Sequence, residues 1–207
     1  MEKFYLERPT IDRKTEAVEY INEFIQYNSE IHGVGSLNKY LDNYESWLER
    51  LENNRNITEI GERVPSETFF LIREKDDKIV GMIDIRLALN DFLKKYGGNI
   101  GYSIRPTERR KGYNKINLYL ALKFCQEKGL YEVLLDCDSD NLGSSNTIIS
   151  LGGVLVKEGI NEIDNTLMKD FIINVDDSIN RYCNMYEQYV ALNKNLVNNI
   201  KNDSMKK

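Results

Sequence analysis

The sequence predicts an α/β domain, a mixed central sheet of about six or seven strands flanked by helices, followed by a helical tail. Three observations lead there. Apolar residues recur at spacings of three and four in two early segments and one central segment; elsewhere they alternate or cluster over short runs; and the middle of the chain reads strand, loop, helix, strand. A chain of 207 residues, 41% hydrophobic and 29% charged, is enough for one well-formed core and an appendage.

The elements follow in order. Phe4 to Glu7 is a short strand closed by Arg8-Pro9, and Asp12 to Ser29 carries Val18, Ile21, Phe24 and Ile25 at helical spacing. Gly33-Val34-Gly35 breaks the chain. Ser36 is then an N-cap for a second helix on which Leu37, Tyr40, Leu41, Tyr44, Leu48 and Leu51 share a face. Thr68 to Arg73 and Ile79 to Leu89 form a hairpin about Lys75-Asp76-Asp77-Lys78, and Asn90 to Gly98 is a connector in which Gly97-Gly98 makes a hairpin turn. Ile100, Tyr102 and Ile104 alternate with Gly101, Ser103 and Arg105 in a strand stopped by Pro106. Ile116, Tyr119, Leu120 and Phe124 mark a helix from Lys115 to Lys128, with Gly129 as its stop. Tyr131 to Cys137 is a continuous apolar run, as a strand buried on both faces is, and a right-handed crossover makes it a parallel neighbour of the strand before the helix.

Phe171 to Val175 is the last strand of a domain spanning 1–175. In 176–207, Ile179, Tyr182, Cys183, Tyr186, Tyr189, Val190, Leu196, Val197 and Ile200 recur at spacings of three and four, which predicts one long amphipathic helix ahead of a lysine-rich tail from Lys201. So long a stripe needs a cover, either its own domain or the second copy of a homodimer. The formal net charge of -5 argues against nucleic acid and membrane surfaces as general partners. Cys125, Cys137 and Cys183 are odd in number and lack CxxC spacing, so a reducing cytoplasm is expected and no zinc site is. The start of the chain has no secretory pattern, and no apolar run is long enough for a membrane span.

The chemistry concentrates in Arg109-Arg110-Lys111-Gly112-Tyr113-Asn114, at the strand-to-helix junction. The first N–H groups of a helix lack intrahelical partners and the dipole there is positive, so the segment reads either as an anion cradle or as a solvated basic turn. Walker A is absent, and GxGxxG does not occur between a strand and a helix. After the next strand comes DCDSDNLGSSNTIISLGG, residues 136 to 153, in which Asn141 begins a short helix. Asp136, Asp138 and Asp140 have the spacing of a calcium loop, but Asn141 stands where glycine is needed and Thr147 where glutamate is, so no metal is expected. His32 is the only histidine and supports no hydrolytic triad.

Taken together, IGYSIRPTERRKGYN, the helix after it, LLDCD and DNLGSSNTIISLGG resemble the GNAT superfamily of N-acetyltransferases, and the likeness extends from about Phe4 to Val175. The resemblance implies the GNAT acyl-CoA N-acyltransferase fold and acetyl-CoA as cosubstrate. It also implies direct attack by a primary amine of a small molecule or peptide in a ternary complex. A CoA-binding protein of the same fold without transfer activity is the alternative. The family's pyrophosphate pattern [QR]-x-x-G-x-[GA] falls on Arg109, Arg110, Lys111, Gly112, Tyr113 and Asn114, with Asn114 where Gly or Ala is usual and Lys115 next on the helix. The resemblance implies that Tyr102, Ser103 and Ile104 flank the pantetheine arm, that Asn141 and Ser144 touch it, and that N–H groups near Ile104 polarise the thioester carbonyl. Asp136, five residues before Asn141, is the candidate general base, with Glu67, Asp84 and a water chain as competitors. The tyrosine acid of many relatives is replaced by Ile148. The segment with Glu30 and His32 matches where such proteins build the acceptor pocket. Arg86 reads either as an acceptor-binding group or as part of an ion pair.

Overall fold

A computed structural model of the protein describes residues 1–191. Seven strands form two antiparallel sheets. The larger holds β1 (Phe4–Glu7), β2 (Ser66–Arg73), β3 (Lys78–Arg86) and β4 (Ile100–Ile104) in that order. The smaller holds β5 (Glu132–Asp138), β7 (Leu167–Asn174) and β6 (Val154–Ile160), with β7 in the middle.

Period-two alternation sends the side chains of the larger sheet into two cores. Phe70, Ile72, Ile79 and Met82 face α1 (Lys14–Gln26) and α2 (Tyr44–Arg55), where Tyr20, Phe24 and Trp47 are fully buried. Trp47 donates its indole N–H to Gly35 O at 2.9 Å, so its polar end is satisfied as its rings are buried. Phe69, Leu71, Ile83 and Ile85 face the opposite way, onto α4 (Tyr113–Glu127). Ten residues of α4 are buried, because both sheets and α6 (Val175–Tyr186) share its surface.

The described part of the C-terminal stripe covers its own domain. Tyr186 stacks on Tyr119 with ring centroids 5.2 Å apart, and Ser178 Oγ donates to Leu151 O. The expected continuous helix is interrupted: α6 ends at Tyr186, a 3-10 turn spans Glu187–Tyr189, and Ala191 N–H then donates to Phe4 O. Leu196, Val197, Ile200 and the tail lie outside the described residues.

Other expectations need correction. The second helix begins at Tyr44, capped by Asn43, whose side chain accepts from Ser46 N–H; Ser36 has a positive φ ahead of a separate 3-10 turn, Leu37–Lys39. Ile25 is exposed, off the buried face. The 90–98 connector contains a short helix, α3 (Asp91–Lys95). β5 is not buried on both faces: Val133, Leu135 and Cys137 point inward, while Leu134, Asp136 and Asp138 look out on the other side. β6, seven residues with mostly exposed side chains, has no counterpart in the sequence reading.

β4 and β5 lie side by side but form no ladder. They meet at one place, where Asn99 N–H donates to Leu134 O at 2.6 Å and Leu134 N–H donates to Asn99 Oδ1 at 2.9 Å. The Asn99 amide also donates to Arg86 O at 3.0 Å, so one buried side chain joins β3 to β5. Beyond this pin no hydrogen bond links β4 to β5 among the described residues, and a cleft opens between them.

Replacing Asn99 with alanine removes two side-chain hydrogen bonds and leaves the part-buried Leu134 N–H and Arg86 O without that partner. The expected cost is about 2–4 kcal/mol. Urea unfolding of Asn99→Ala checks it; a loss under about 0.5 kcal/mol, the scale of an ordinary surface change, removes Asn99 as the joint between the sheets.

Candidate active site

The cleft is a cavity of about 970 Å³. β4 from Ile100 to Ile104 forms one wall, and Asp136, Cys137 and Asp138 of β5 form the other. The Arg109–Lys115 loop, the start of α5 (Leu142–Ile149), Tyr27–Gly33 and the β6–β7 hairpin complete the lining, and Arg109 Nη2 donates to Ser29 Oγ at 2.7 Å.

Backbone alternation sets the chemistry of the first wall. Arg105 N–H donates to Val80 O, and Gly101 and Ser103 lie in the same phase of the β3–β4 ladder. The N–H groups of Tyr102 and Ile104 therefore point away from β3, toward the cleft. Above β4 runs the α1–α2 connection. Gly33 lies so close to it that a Cβ there would fall 2.2 Å from Gly101 O, so only glycine lets this segment carry Glu30 and His32 over the cleft.

The loop before α4 presents bare donors. Arg110 (φ 66) and Gly112 (φ 81) are both left-handed, and the N–H groups of residues 110 to 114 donate to no acceptor among the described residues. Successive amides turned to one side in this way make an anion-binding concavity. A Cβ on Gly112 would meet no protein atom within 4 Å, so the space beside it is open to a ligand. Asn114 lines the cleft, but its Oδ1 is buried in the wall with no hydrogen-bond partner among the described residues. These residues fit coenzyme A, which carries phosphates together with amide and hydroxyl donors.

Glu108 sets the position of this loop. Its carboxylate, 6% exposed, accepts from Arg73 Nη1 (2.7 Å), Lys78 Nζ (3.1 Å) and Lys111 Nζ (2.8 Å). Burial raises its pKa, but the hydrogen bonds from Lys111, Arg73 and Lys78 outweigh that and bring it down to about 2. The charge of Lys111 is thus committed, and Lys111 is the one expected cofactor residue outside the cleft lining. Tyr102, Ser103, Ile104, Arg109, Arg110, Gly112, Tyr113, Asn114, Lys115, Asn141 and Ser144 all line it. Asn141 Oδ1 caps α5 by accepting from Ser144 N–H, and Ser144 Oγ lies 2.7 Å from the Tyr102 hydroxyl. Ser103 turns its hydroxyl to Tyr20 and away from solvent, so only its backbone serves the cleft edge of the sheet.

Carboxylates line the cleft as well. Asp136 holds Gly97 N–H on Oδ2 at 2.7 Å, and its Oδ1 has no partner among the described residues. Asp138 has a raised pKa, first from burial and then from the charge of Glu30, with Asp140 and Asp164 adding to it and His32 opposing. Sequence reasoning missed Tyr96, Asp164 and Met168 here, because the hairpin that carries the last two went unrecognised. The competing bases are occupied elsewhere: Glu67 is gripped by Arg8 and Arg55, and Asp84 is buried against Thr68, and neither lines the cleft. Cys137 is pushed up by burial, which keeps it a thiol. Arg86 donates to Gly97 O and Gly98 O, so it is held by the backbone. Gly97-Gly98 thus forms part of the cleft floor and not a simple hairpin turn. Among the described residues no three His, Cys, Asp or Glu side chains converge to hold a metal, and no helix is long and apolar enough to cross a membrane.

A cleft between unzipped strands, ending in a loop of bare amides, defines an acyltransferase-type α/β fold. The chain belongs to the acetyltransferase (GNAT) family, whose profile matches residues 36–148, and is by class an acetyl-CoA-dependent N-acetyltransferase. Among solved structures it is similar to RimJ of Mycobacterium smegmatis in complex with CoA-disulfide (TM-score 0.67, 13% identity, 87% of this chain and 88% of that one). It is also similar to ribosomal-protein-S5-alanine acetyltransferase from Vibrio fischeri (0.65, 14%, 86% and 96%). A third is the spermidine/spermine N-acetyltransferase SpeG from Vibrio cholerae (0.62, 13%, 86% and 98%). No curated protein matches the sequence significantly.

The Glu108 cluster predicts a pH dependence. A carboxylate whose pKa is depressed on folding, here from 4.5 to about 2, contributes stability that is fully present above 4.5 and lost as pH falls toward 2. Glu108→Gln is therefore less stable than the parent at neutral pH, and the gap narrows over that window. Urea midpoints of both proteins at successive pH values test this; a gap constant with pH removes the ionised cluster as its source.

Proposed function

We propose that the protein transfers the acetyl group of acetyl-CoA to a primary amine of a small molecule or peptide that carries a further positive charge. The observation that carries the reading is the cleft itself, open between β4 and β5 and ending in the unpaired N–H groups of residues 110 to 114. Those amides, with Arg109 and Arg110 beside them, hold the pyrophosphate. The exposed edges of β4 and β5 take the pantetheine arm as an added strand would be taken. Acetyl-CoA supplies an acetyl thioester, and the outward N–H groups of Tyr102 and Ile104 are donors for its carbonyl oxygen. Asn114 supports this reading where its size invites objection, since its side chain is folded into the wall and leaves the loop open.

Asp136 is the general base of the proposal. Its Oδ1 accepts the proton that the amine nitrogen sheds as the C–N bond forms and the thioester C–S bond breaks, with coenzyme A leaving as a thiolate. Tyr102, on the opposite wall, stays protonated because burial pushes its hydroxyl pKa up, and with Ser144 orienting it, it can give the departing thiolate its proton and regain one from water. Glu30, Asp138 and Asp164 cluster in the lining with His32 opposing them, while the Arg86 guanidinium is drawn down to the floor by Gly97 O and Gly98 O. A polycation is favoured there over a monoamine.

Calorimetric titration with acetyl-CoA tests the cofactor half. Gly112→Glu should weaken binding about 100-fold or more, because a carboxylate a few ångströms from a phosphate costs on the order of 3 kcal/mol near a surface. Unchanged affinity would refute the cradle. Release of CoA thiol in the presence of spermidine or butylamine tests the acceptor half. Spermidine should be the better acceptor, and Asp138→Asn should raise its KM by about 5-fold, the scale of one lost charge contact of ~1 kcal/mol. Acetyl-CoA binding with no transfer to any amine would instead favour a CoA-binding protein without transferase activity.

A further inference from the structure

Gly97 and Gly98 occupy φ values of +113° and +53° at the floor of the cleft. Two consecutive glycines are the least self-determined stretch a chain can contain, so a fixed geometry there must be imposed from outside. Three things impose it. Gly98 N–H donates to Leu93 O, at the end of α3. A Cβ on Gly98 would fall 2.3 Å from Leu134 O, so the turn is pressed against β5. The third is Arg86, the last residue of β3. Its Nη1 donates to both Gly97 O (2.7 Å) and Gly98 O (2.9 Å), and its Nε lies 3.7 Å from Asp84 Oδ2. The turn so held presents Gly97 N–H to Asp136 Oδ2 at 2.7 Å.

We infer that Arg86 is a positioning residue for Asp136, acting through the Gly97-Gly98 turn: it fixes the two carbonyls so that the Gly97 amide holds one carboxylate oxygen and leaves the other aimed into the cleft. The inference rests on the reading of Asp136 as the general base. Without the clamp the glycine turn relaxes, the amide leaves Oδ2, and the carboxylate is free to swing. The other charged and titratable groups about Asp136 do not replace that donor. Asp170 stands opposite it in the β5–β7 ladder and Asp138 lies two residues on, both negative; Tyr102 is across the cleft, and Lys157 is 3.9 Å from Asp170. Asp84, buried and accepting from Thr68 Oγ1 at 2.7 Å, keeps the guanidinium at the end of β3 instead of in the cleft.

The test needs no known acceptor. In the full-length protein, the Asp136 carboxyl carbon and the Gly97 amide are followed by NMR through a pH titration. Asp136→Asn identifies the carboxyl signal by its loss and removes the matching inflection from the Gly97 amide. In Arg86→Met the Gly97 amide should lose that inflection, and its proton resonance should move upfield as the hydrogen bond to the carboxylate is lost. Arg86→Lys, which keeps a donor for the carbonyls, should restore most of both signals. A parent-like Gly97 amide in Arg86→Met, in both shift and inflection, overturns the inference. If that variant does not fold, Arg86→Gln, whose head is too short to fork over both carbonyls, carries the same comparison. Transfer to spermidine separates the two levels of the argument. If Asp136→Asn abolishes the acidic limb of the rate profile while Arg86→Met leaves it unmoved, the positioning role fails and the base stands. If Asp136→Asn leaves the limb unmoved, the base reading fails, whatever the amide signal shows.

Discussion

The two sheets of this protein are joined at Asn99, and the cleft exists because, among the described residues, no further backbone hydrogen bond links β4 to β5. The side chain of Asn99 accepts from Leu134 N–H and donates to Arg86 O, while its own N–H donates to Leu134 O. Above that point the cleft-side edges of β4 and β5 do not pair with each other, and Ile104 O accepts from Arg109 Nε instead. Unpaired strand edges are costly if buried dry and hazardous if exposed, and proteins usually cover or shorten them. Here they line a cavity of about 970 Å³, where a ligand with amides of its own can complete them. The same absence of a ladder that makes this a weak seam in a sheet makes it a binding site.

Charge is unevenly spread over the cleft lining, although the chain as a whole says nothing of it. A formal net charge of -5 gives no hint of a local basic cluster. At the loop, Glu108 absorbs Arg73, Lys78 and Lys111, so the local basic excess is smaller than the sequence RRK suggests. Arg109 is held by Ile104 O and Ser29 Oγ, which leaves Arg110 and Lys115 in the lining beside backbone amides that need no counter-charge and cannot be titrated away. Carboxylates from the α1–α2 connection, the end of β5 and the β6–β7 hairpin converge on Asp138. Each is an unremarkable surface residue in its own segment, and the field arises only when the fold brings the segments together.

That contrast explains how much was legible in the sequence. The central order of strand, loop, helix and strand, the β2–β3 hairpin and the Gly129 stop rest on local periodicity and turn chemistry, and their bounds stand within about three residues in the structure. The GNAT fold and the RRKGYN loop rested on residues contiguous in the chain. The N-cap of α2 was misassigned because Ser36 and Asn43 are both good caps, and only Gly35 under the Trp47 indole decides between them. β6 escaped because its VLVKEGI segment lacks a buried face to set a clear period. Gly97-Gly98 carried a correct turn signal and a wrong meaning, since nothing local says that the turn will sit beneath Asp136 with Arg86 across it.

Asn114 shows the same division within a single residue. In the sequence it stands where a smaller residue is usual, and size alone says that it narrows the pyrophosphate loop. In the structure Arg110 and Gly112 have already turned left-handed, and α4 begins at Tyr113, so residue 114 is inside the first helical turn. A side chain there points back along the helix toward its N-terminus. Asn114 does so into the cleft wall, where its Oδ1 is buried without a donor. A buried amide oxygen left unpaired costs on the order of 1–3 kcal/mol, and Asn54 Oδ1 and Asn117 Oδ1 are left unpaired in the same fold. The residue that departs most from the family pattern is therefore, on this geometry, folded into the wall, and its size does not close the loop whose Gly112 has open space beside it.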